Sequence, residues 1–373
     1  MPCAVRWRSE KTSQPPARVV LADDTLPADT AYRLACEGTA LLWRGDFHNA
    51  RQLLQALERR IARGPRKSRT QVAPTGAANP AQAFYQHRQA QAQRARVLGL
   101  LLVPVAGDYS LPLRRAPDLR TACAEAWGPA TGEDSVVALR ELLGLVGAHE
   151  WRKKGVEIPM LAARIHPHYG VFSPVRGEYI ELLAQAPFPT LSPSPLLAFD
   201  IGVGTGVLSA VLAQRGVRRI VATDCDPRAL ACARDNLERL GLSSQVELLQ
   251  TDLFPPGRAP LVVCNPPWVP ARPAAPIEHA VYDEDSRMLR GFLGGLAGHL
   301  EPGGEGWLIL SDLAEHLGLR PRAELLAWID CAGLRVLGRA DVRPRHPKAH
   351  DAADPLYAAR AREVTSLWRL GVR

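Results

Sequence analysis

The sequence predicts an α/β fold from residue 195 onward, a parallel sheet covered on both faces by helices, preceded by a mainly helical region. Strand-like apolar runs alternate with helical runs across that second half, which is the pattern of a parallel sheet. The last two strand-like runs have no helix between them, so they close the sheet antiparallel. Residues 1–165 are dominated instead by helical spacing of apolar residues.

Taken in order, Ala31–Arg63 places Leu41, Leu42, Leu53, Leu54, Leu57 and Ile61 at helical spacings, with Gly45 and Asp46 as a break between two helices. Residues 67–80 are polar and rich in Gly, Pro and Ser, and read as a loop. Ala81–Leu101 and Ser135–Glu150 complete the helical reading. Strands are then expected at Leu196–Ile201, Arg219–Asp224, Gln245–Gln250, Leu261–Cys264, Gly306–Leu310, Leu334–Val342 and Val364–Leu370. Helices are expected at Val207–Arg215, Pro227–Leu240, Ser286–Leu300 and Arg320–Ala332. The expected domains are a basic, mainly helical one over 1–155, a connecting segment over 156–194, and the α/β domain over 195–373.

A chain of 373 residues has room for two domains, and 46% hydrophobic with 23% charged residues is a globular composition. No run approaches the roughly 18 apolar residues of a membrane span, and the stretch Val97–Ala106 is interrupted by Pro104. The first residues, MPCAVRWRSEK, lack the apolar core of a secretory signal, so a cytoplasmic location without membrane contact is expected. Seven scattered cysteines form no CxxC pair; buried reduced thiols are expected, and no metal site. The net charge of +8 is uneven: residues 1–165 hold 24 Lys/Arg against 15 Asp/Glu, residues 166–373 hold 22 against 23. Such an excess suits an acidic partner such as RNA or a ribosome surface, and equally suits well-solvated arginine-rich helices.

The chemistry-bearing motifs all fall at expected strand ends. Phe199-Asp200-Ile201-Gly202-Val203-Gly204-Thr205-Gly206 follows a strand and opens a helix. Its glycines allow a tight turn and close approach of the backbone to a ligand. No Gly-Lys-Ser/Thr follows, so this is not a phosphate-binding P-loop. Asp224 ends the next strand, where a carboxylate can accept from two ribose hydroxyls, and Asp226 suits a helix N-cap. Asp252, at the end of the third strand, can accept from an adenine amine while Leu253 packs on the ring. The fourth strand ends in Asn265-Pro266-Pro267-Trp268, where proline stops the ladder.

Residues 166–373 resemble the class I S-adenosylmethionine-dependent methyltransferases. The resemblance implies a Rossmann-like seven-stranded sheet with its last strand antiparallel, and S-adenosylmethionine as cofactor. It sets Asp200, Gly202, Gly204 and Gly206 around the methionine part, Asp224 on the ribose, Asp252 and Leu253 on the adenine, and Asn265 beside the methyl donor. The tetrapeptide resembles the N/D-P-P-Y/F/W loop of enzymes that methylate planar nitrogens. By that likeness the Asn265 side-chain oxygen and the Pro266 carbonyl accept the two hydrogens of the nitrogen. Pro266 and Pro267 stiffen the loop, and Trp268 offers a flat face. The proton becomes acidic once the nitrogen is alkylated, so no role is required of His166, His168 or His279.

Within this class the chain is similar to HemK-like glutamine methyltransferases, which carry a hairpin and a proline- and acid-containing turn before the first strand. Pro174 and Glu178 match that turn, although Ser-Pro-Val-Arg-Gly-Glu replaces the usual Arg-Pro-Glu/Asp-Thr-Glu. Tyr282, Asp283 and Glu301-Pro302-Gly303-Gly304 extend the likeness. The implied substrate is a glutamine amide of a translation-related protein. Methylation of an exocyclic base amine in rRNA or tRNA, and a non-catalytic RNA-binding module with a relic cofactor pocket, stay open beside it. A nicotinamide-dependent oxidoreductase would leave Asp252 and Asn265–Trp268 unexplained.

Overall fold

The computed structural model describes residues 5–10, 14–63, 79–175, 177–189, 196–274, 276–345 and 351–373. They divide into two compact units, residues 1–78 with 84–150, and residues 79–83 with 151–373.

The first unit contains a five-stranded sheet. Its strands are β1 (Arg6–Arg8), β2 (Val19–Ala22), β3 (Ala40–Trp43), β4 (Leu101–Val105) and β5 (Ser135–Ala138), in the order β1-β5-β4-β3-β2. Only the β4–β5 pairing is antiparallel. Helix α1 (Ala28–Cys36) lies between β2 and β3, α2 (Phe47–Arg63) and α3 (Pro80–Leu98) between β3 and β4, α4 (Arg120–Trp127) between β4 and β5, and α5 (Leu139–Lys154) follows β5. The expectation of a mainly helical region therefore needs correction, because it missed the sheet. Leu41 and Leu42 were expected on a helix and lie in β3. Apolar runs of four or five residues fit either period, and each here abuts a genuine helix, which hid it. Ser135–Glu150 divides in the same way into β5 and the start of α5. The loop expected at 67–80 lies outside the described residues up to Ala78, and Asn79 accepts the Ala81 N–H (3.0 Å) at the entrance to α3.

The second unit begins with a hairpin, β6 (Val156–Ile158) against β7 (Ala163–Ile165), followed by α6 (Glu178–Gln185). Seven strands then build one sheet: β8 (Leu197–Ile201), β9 (Arg219–Asp224), β10 (Val246–Gln250), β11 (Ala259–Cys264), β12 (Leu300–Ser311), β13 (Leu334–Val342) and β14 (Thr365–Val372). The order is β10-β9-β8-β11-β12-β14-β13, parallel except that β14 runs antiparallel to both its neighbours. Strands such as Leu261–Cys264 are buried on both faces, which is why they read as unbroken apolar runs. Helices α7 (Val207–Gln214) and α8 (Pro227–Arg239) pack with α6 into one apolar layer; α9 (Arg287–His299) and α11 (Arg322–Cys331) pack into the other. Between β12 and α11 lies the short α10 (Leu313–His316), and α12 (Tyr357–Arg360) precedes β14. Each fully buried Val, Leu or Ile in these layers contributes about 1.5–3 kcal/mol. The reversed strand β14 is pinned by Arg369, which donates to both Glu305 oxygens (2.6 and 2.7 Å), while the Trp307 indole donates to the same carboxylate (3.0 Å).

Of the described cysteines, Cys123, Cys232 and Cys264 are buried, but Cys36, Cys225 and Cys331 are exposed. The exposed three sit at helix or strand ends, where the chain turns out to solvent. Among the described residues no helix is long and apolar enough to cross a membrane.

Candidate active site

The strand order reverses at β8, whose neighbours are β9 on one side and β11 on the other. Open α/β sheets bind ligands in the crevice at the carboxyl ends of the strands flanking such a reversal. Register decides what meets there. Ile201 pairs with Thr223 and with Cys264. The next residues along each strand, Gly202, Asp224 and Asn265, therefore stand level on three adjacent strand ends.

The glycine loop has the geometry its composition demands. Gly202 (φ 82°), Gly204 (φ 52°) and Gly206 (φ 81°) are all left-handed, a region that other L-residues enter only with strain. Gly202 and Val203 donate their N–H groups to the Thr223 carbonyl (2.9 and 2.8 Å), which ties the loop to β9. A Cβ on Gly204 would meet nothing within 4 Å, so that stretch of backbone faces open space. A Cβ on Gly202 would meet the Met288 methyl at 2.8 Å, which places the start of α9 against the loop.

Asp224 accepts the Gly204 N–H with one oxygen (3.1 Å) and the Asp226 N–H with the other (3.0 Å). Each oxygen keeps a lone pair. Burial raises the Asp224 pKa, and the backbone donors work against that rise. Asp226 caps α8 by accepting the Arg228 N–H (2.8 Å). Asp200 is fully buried, with one oxygen taking the Ser209 hydroxyl (2.6 Å) and Oδ1 left without a partner. Burial pushes its pKa up to about 7.

Asp252 is exposed and pairs with Arg287 (2.9 Å). An ion pair this solvated is worth about 0–1 kcal/mol, so it is no barrier to a competing donor. Leu253 is held left-handed (φ 67°), its carbonyl accepting the Thr223 hydroxyl (2.6 Å), and its side chain abuts Gly291 of α9.

Beyond β11, Asn265 and Trp268 are half-buried and Pro266 is buried. The Trp268 indole N–H donates to Asn265 Oδ1 (2.9 Å). That contact fixes which way the amide points and leaves the oxygen a second lone pair. The Trp268 ring packs against both apolar layers, so its position is set by the core.

Two groups of residues escaped the sequence reading. Asn236 on α8 accepts the His166 N–H (2.7 Å) and donates to the carbonyls of His166 (3.2 Å) and Thr205 (3.1 Å), joining the end of the β6–β7 hairpin to the glycine loop. Arg320, buried, donates to the Trp268 carbonyl (3.2 Å) and the Ser286 hydroxyl (3.1 Å). Neither belongs to a spacing pattern: one is an interior helix residue, the other a single arginine before a proline. Of the three histidines, two have contacts within the fold. His166 Nδ1 meets the Arg152 carbonyl (2.6 Å), His168 lies 2.9 Å from Asp235, and His279 is exposed. Glu178 accepts the Arg345 N–H (2.6 Å).

Residues 163–320 match the family model described as the methyltransferase small domain. This segment, under half of the chain, is therefore similar to the methyltransferase small domain. The chain is 34% identical over 158 residues to a release factor glutamine methyltransferase of Cereibacter sphaeroides, covering 41% of this chain and 51% of that protein. It is 44% identical over 69 residues to a ribosomal protein L11 methyltransferase of Pelotomaculum thermopropionicum, covering 18% and 22%. The chain thus spans about half the length, or less, of these curated relatives. Among solved structures, a methyltransferase from Pyrococcus furiosus aligns over 63% of this chain and 99% of that one, at 15% identity and a TM-score of 0.40.

The segment resembles S-adenosylmethionine-dependent enzymes, and its strand ends fit that cofactor on their own geometry. A Cβ on Gly204 would meet nothing within 4 Å, Asp224 keeps two lone pairs beside it, and Asp200 Oδ1 is a buried acceptor without a partner. When bound, the cofactor supplies an electrophilic methyl group on a cationic sulfur. The Asp224 carboxylate would hold the ribose through two charge-assisted hydrogen bonds. Asp224→Ala is therefore expected to weaken S-adenosylhomocysteine binding by about 10²-fold, since bonds to a charged group are worth about 1.5–3 kcal/mol each. Isothermal titration checks this, and unchanged affinity would remove Asp224 from the pocket.

Proposed function

We propose that this chain is an N-methyltransferase that modifies a planar nitrogen, a glutamine side-chain amide of a translation-related protein. The observation that carries the reading is the Trp268-to-Asn265 contact, which aims an amide oxygen from the strand end level with the glycine loop. The names of the relatives, which act on a release factor and on ribosomal protein L11, support a protein of the translation machinery as substrate.

An amide nitrogen is a poor nucleophile because its lone pair is delocalised into the carbonyl. It also carries two N–H groups. The remaining lone pair of Asn265 Oδ1 and the Pro266 carbonyl can accept both. That would fix the orientation of the nitrogen and favour the positive charge that develops on it. Asn265 and Pro266 would thus present the nitrogen to the methyl group that the bound cofactor would supply, with its sulfur as the leaving group. The positive charge that develops on nitrogen is met by the two acceptors, and its proton passes to water. The prolines keep the loop from relaxing between turnovers.

Residues 1–165 carry the basic excess, and that favours a second reading in which the acceptor is an exocyclic base amine of RNA. One experiment separates the two. Tritiated methyl groups are transferred by the full chain into extract from cells lacking it, and the product is divided between RNase and protease. Label that survives RNase and is lost to protease is expected; the reverse moves the substrate to RNA. No transfer at all, with cofactor still bound, would end the catalytic reading.

A further inference from the structure

We infer that Arg320 is the positioning residue of the acceptor loop, clamping the carbonyl of Trp268 to the strained start of α9. The inference rests on the methyltransferase reading above.

Arg320 lies after α10 and is 3% exposed. Burying a guanidinium is costly unless its N–H groups and its charge are both met. Both are met here, from two directions. One prong donates to the Trp268 carbonyl (3.2 Å) and the other to the Ser286 hydroxyl (3.1 Å). Asp283, Glu315 and Glu324 supply opposing charge.

The two ends of the clamp matter for different reasons. Trp268 is the residue whose indole N–H holds Asn265 Oδ1. Fixing its main chain fixes where that indole, and so the amide, can point. Asp285 (φ 56°) and Ser286 (φ 52°) are consecutive left-handed residues that are not glycine, a conformation costing about 1–2 kcal/mol per residue and kept only where neighbours enforce it. Asp283 enforces it from one side by accepting the Met288 and Leu289 N–H groups (3.0 and 3.2 Å). Arg320 enforces it from the other. The helix that starts there brings Met288 against Gly202 and Arg287 to Asp252. Arg320 thus joins the loop that would hold the substrate nitrogen to the helix that touches both cofactor-side strand ends. It touches no expected ligand atom itself, so its effect should fall on methyl transfer and not on cofactor affinity.

The test uses Arg320→Met, Arg320→Lys and Trp268→Phe in the full chain. Binding of S-adenosylhomocysteine is read by calorimetry, and tritiated methyl transfer into extract from cells lacking the protein is read at saturating cofactor. Arg320→Met should lose about tenfold or more in transfer, with binding held within about threefold. Trp268→Phe, which removes the indole donor, should lose a similar factor. Because both act through Asn265, the double variant should lose little more than the worse single one; independent contributions would multiply. Arg320→Lys keeps the charge but cannot span both partners, and should fall between Met and Arg. Multiplying losses, full transfer by either Arg320 variant, or equal losses in binding and transfer would each overturn the inference. If Arg320→Met does not fold, the Lys variant decides by the same criteria. Absence of transfer by the unaltered chain would instead refute the methyltransferase reading, so the two failures are distinguishable.

Discussion

Asn265→Ala should abolish most methyl transfer while leaving S-adenosylhomocysteine affinity within about fivefold. The expected loss is about 10²–10³-fold, the range for removing one preorganised group aimed at developing charge. Asn265 Oδ1 has two lone pairs, and the indole of Trp268 takes one at 2.9 Å. The other is left for the nitrogen in the proposed reaction. Alanine removes it and also strands a half-buried indole N–H, so some loss of stability should accompany the loss of rate. Asn265→Asp retains an oxygen for both partners and should stay within about tenfold of the unaltered chain, since the acceptor geometry survives. Transfer into extract and calorimetry, run on the same preparations, give the two readouts. Full transfer by Asn265→Ala would show that the nitrogen is held elsewhere. Loss of binding in proportion to transfer would place Asn265 in the cofactor pocket instead.

The candidate site was legible in the sequence because its signals are local. A strand ending in alternate glycines, or in Asn-Pro-Pro, announces itself within a few residues, and the left-handed φ of Gly202, Gly204 and Gly206 is what their composition implies. Asp226 as the cap of α8 is equally local. Whatever depends on long-range packing stayed hidden. Arg320 reaches back 52 residues to Trp268, and no spacing rule connects them. Asn236 joins His166 to Thr205 through its side-chain amide, yet in sequence it is one polar residue of a helix. The strands of the first unit were hidden for another reason. Ala40–Trp43 and Leu101–Val105 are too short for a period of two to stand out from neighbouring helical periodicity. Register supplied what motif reading could not. The pairing of Ile201 with both Thr223 and Cys264 brings three separate motifs level at one edge of the sheet.

Asp200→Asn should raise the stability of the ligand-free chain at pH 8 and weaken its hold on the cofactor. The carboxyl is fully buried, one oxygen satisfied by Ser209 and the other without a partner. Burial lifts its pKa from 3.8 to about 7. The folded chain therefore binds this proton more tightly than the unfolded chain does, and protonation favours folding. That contribution is present in full below the unfolded value near 3.8 and is lost as pH rises through about 7. A shift of about three units corresponds to on the order of 4 kcal/mol. Asparagine has the same shape, still accepts from Ser209, and never ionises, so it should escape the penalty. Its melting temperature should exceed that of the unaltered chain by several degrees at pH 8 and match it near pH 4. Function should run the other way. A cationic ligand in the adjoining glycine loop favours the ionised carboxylate, so cofactor binding near pH 6.5 should release a proton and its affinity should fall as the medium is acidified. Titrations in buffers of different ionisation enthalpy measure that proton directly. The asparagine variant should bind more weakly, release none, and show a flat pH dependence. A lower melting temperature for Asp200→Asn at pH 8 would mean that the carboxylate is already compensated in the free chain, and the pocket would then have no unsatisfied charge for the cofactor to relieve.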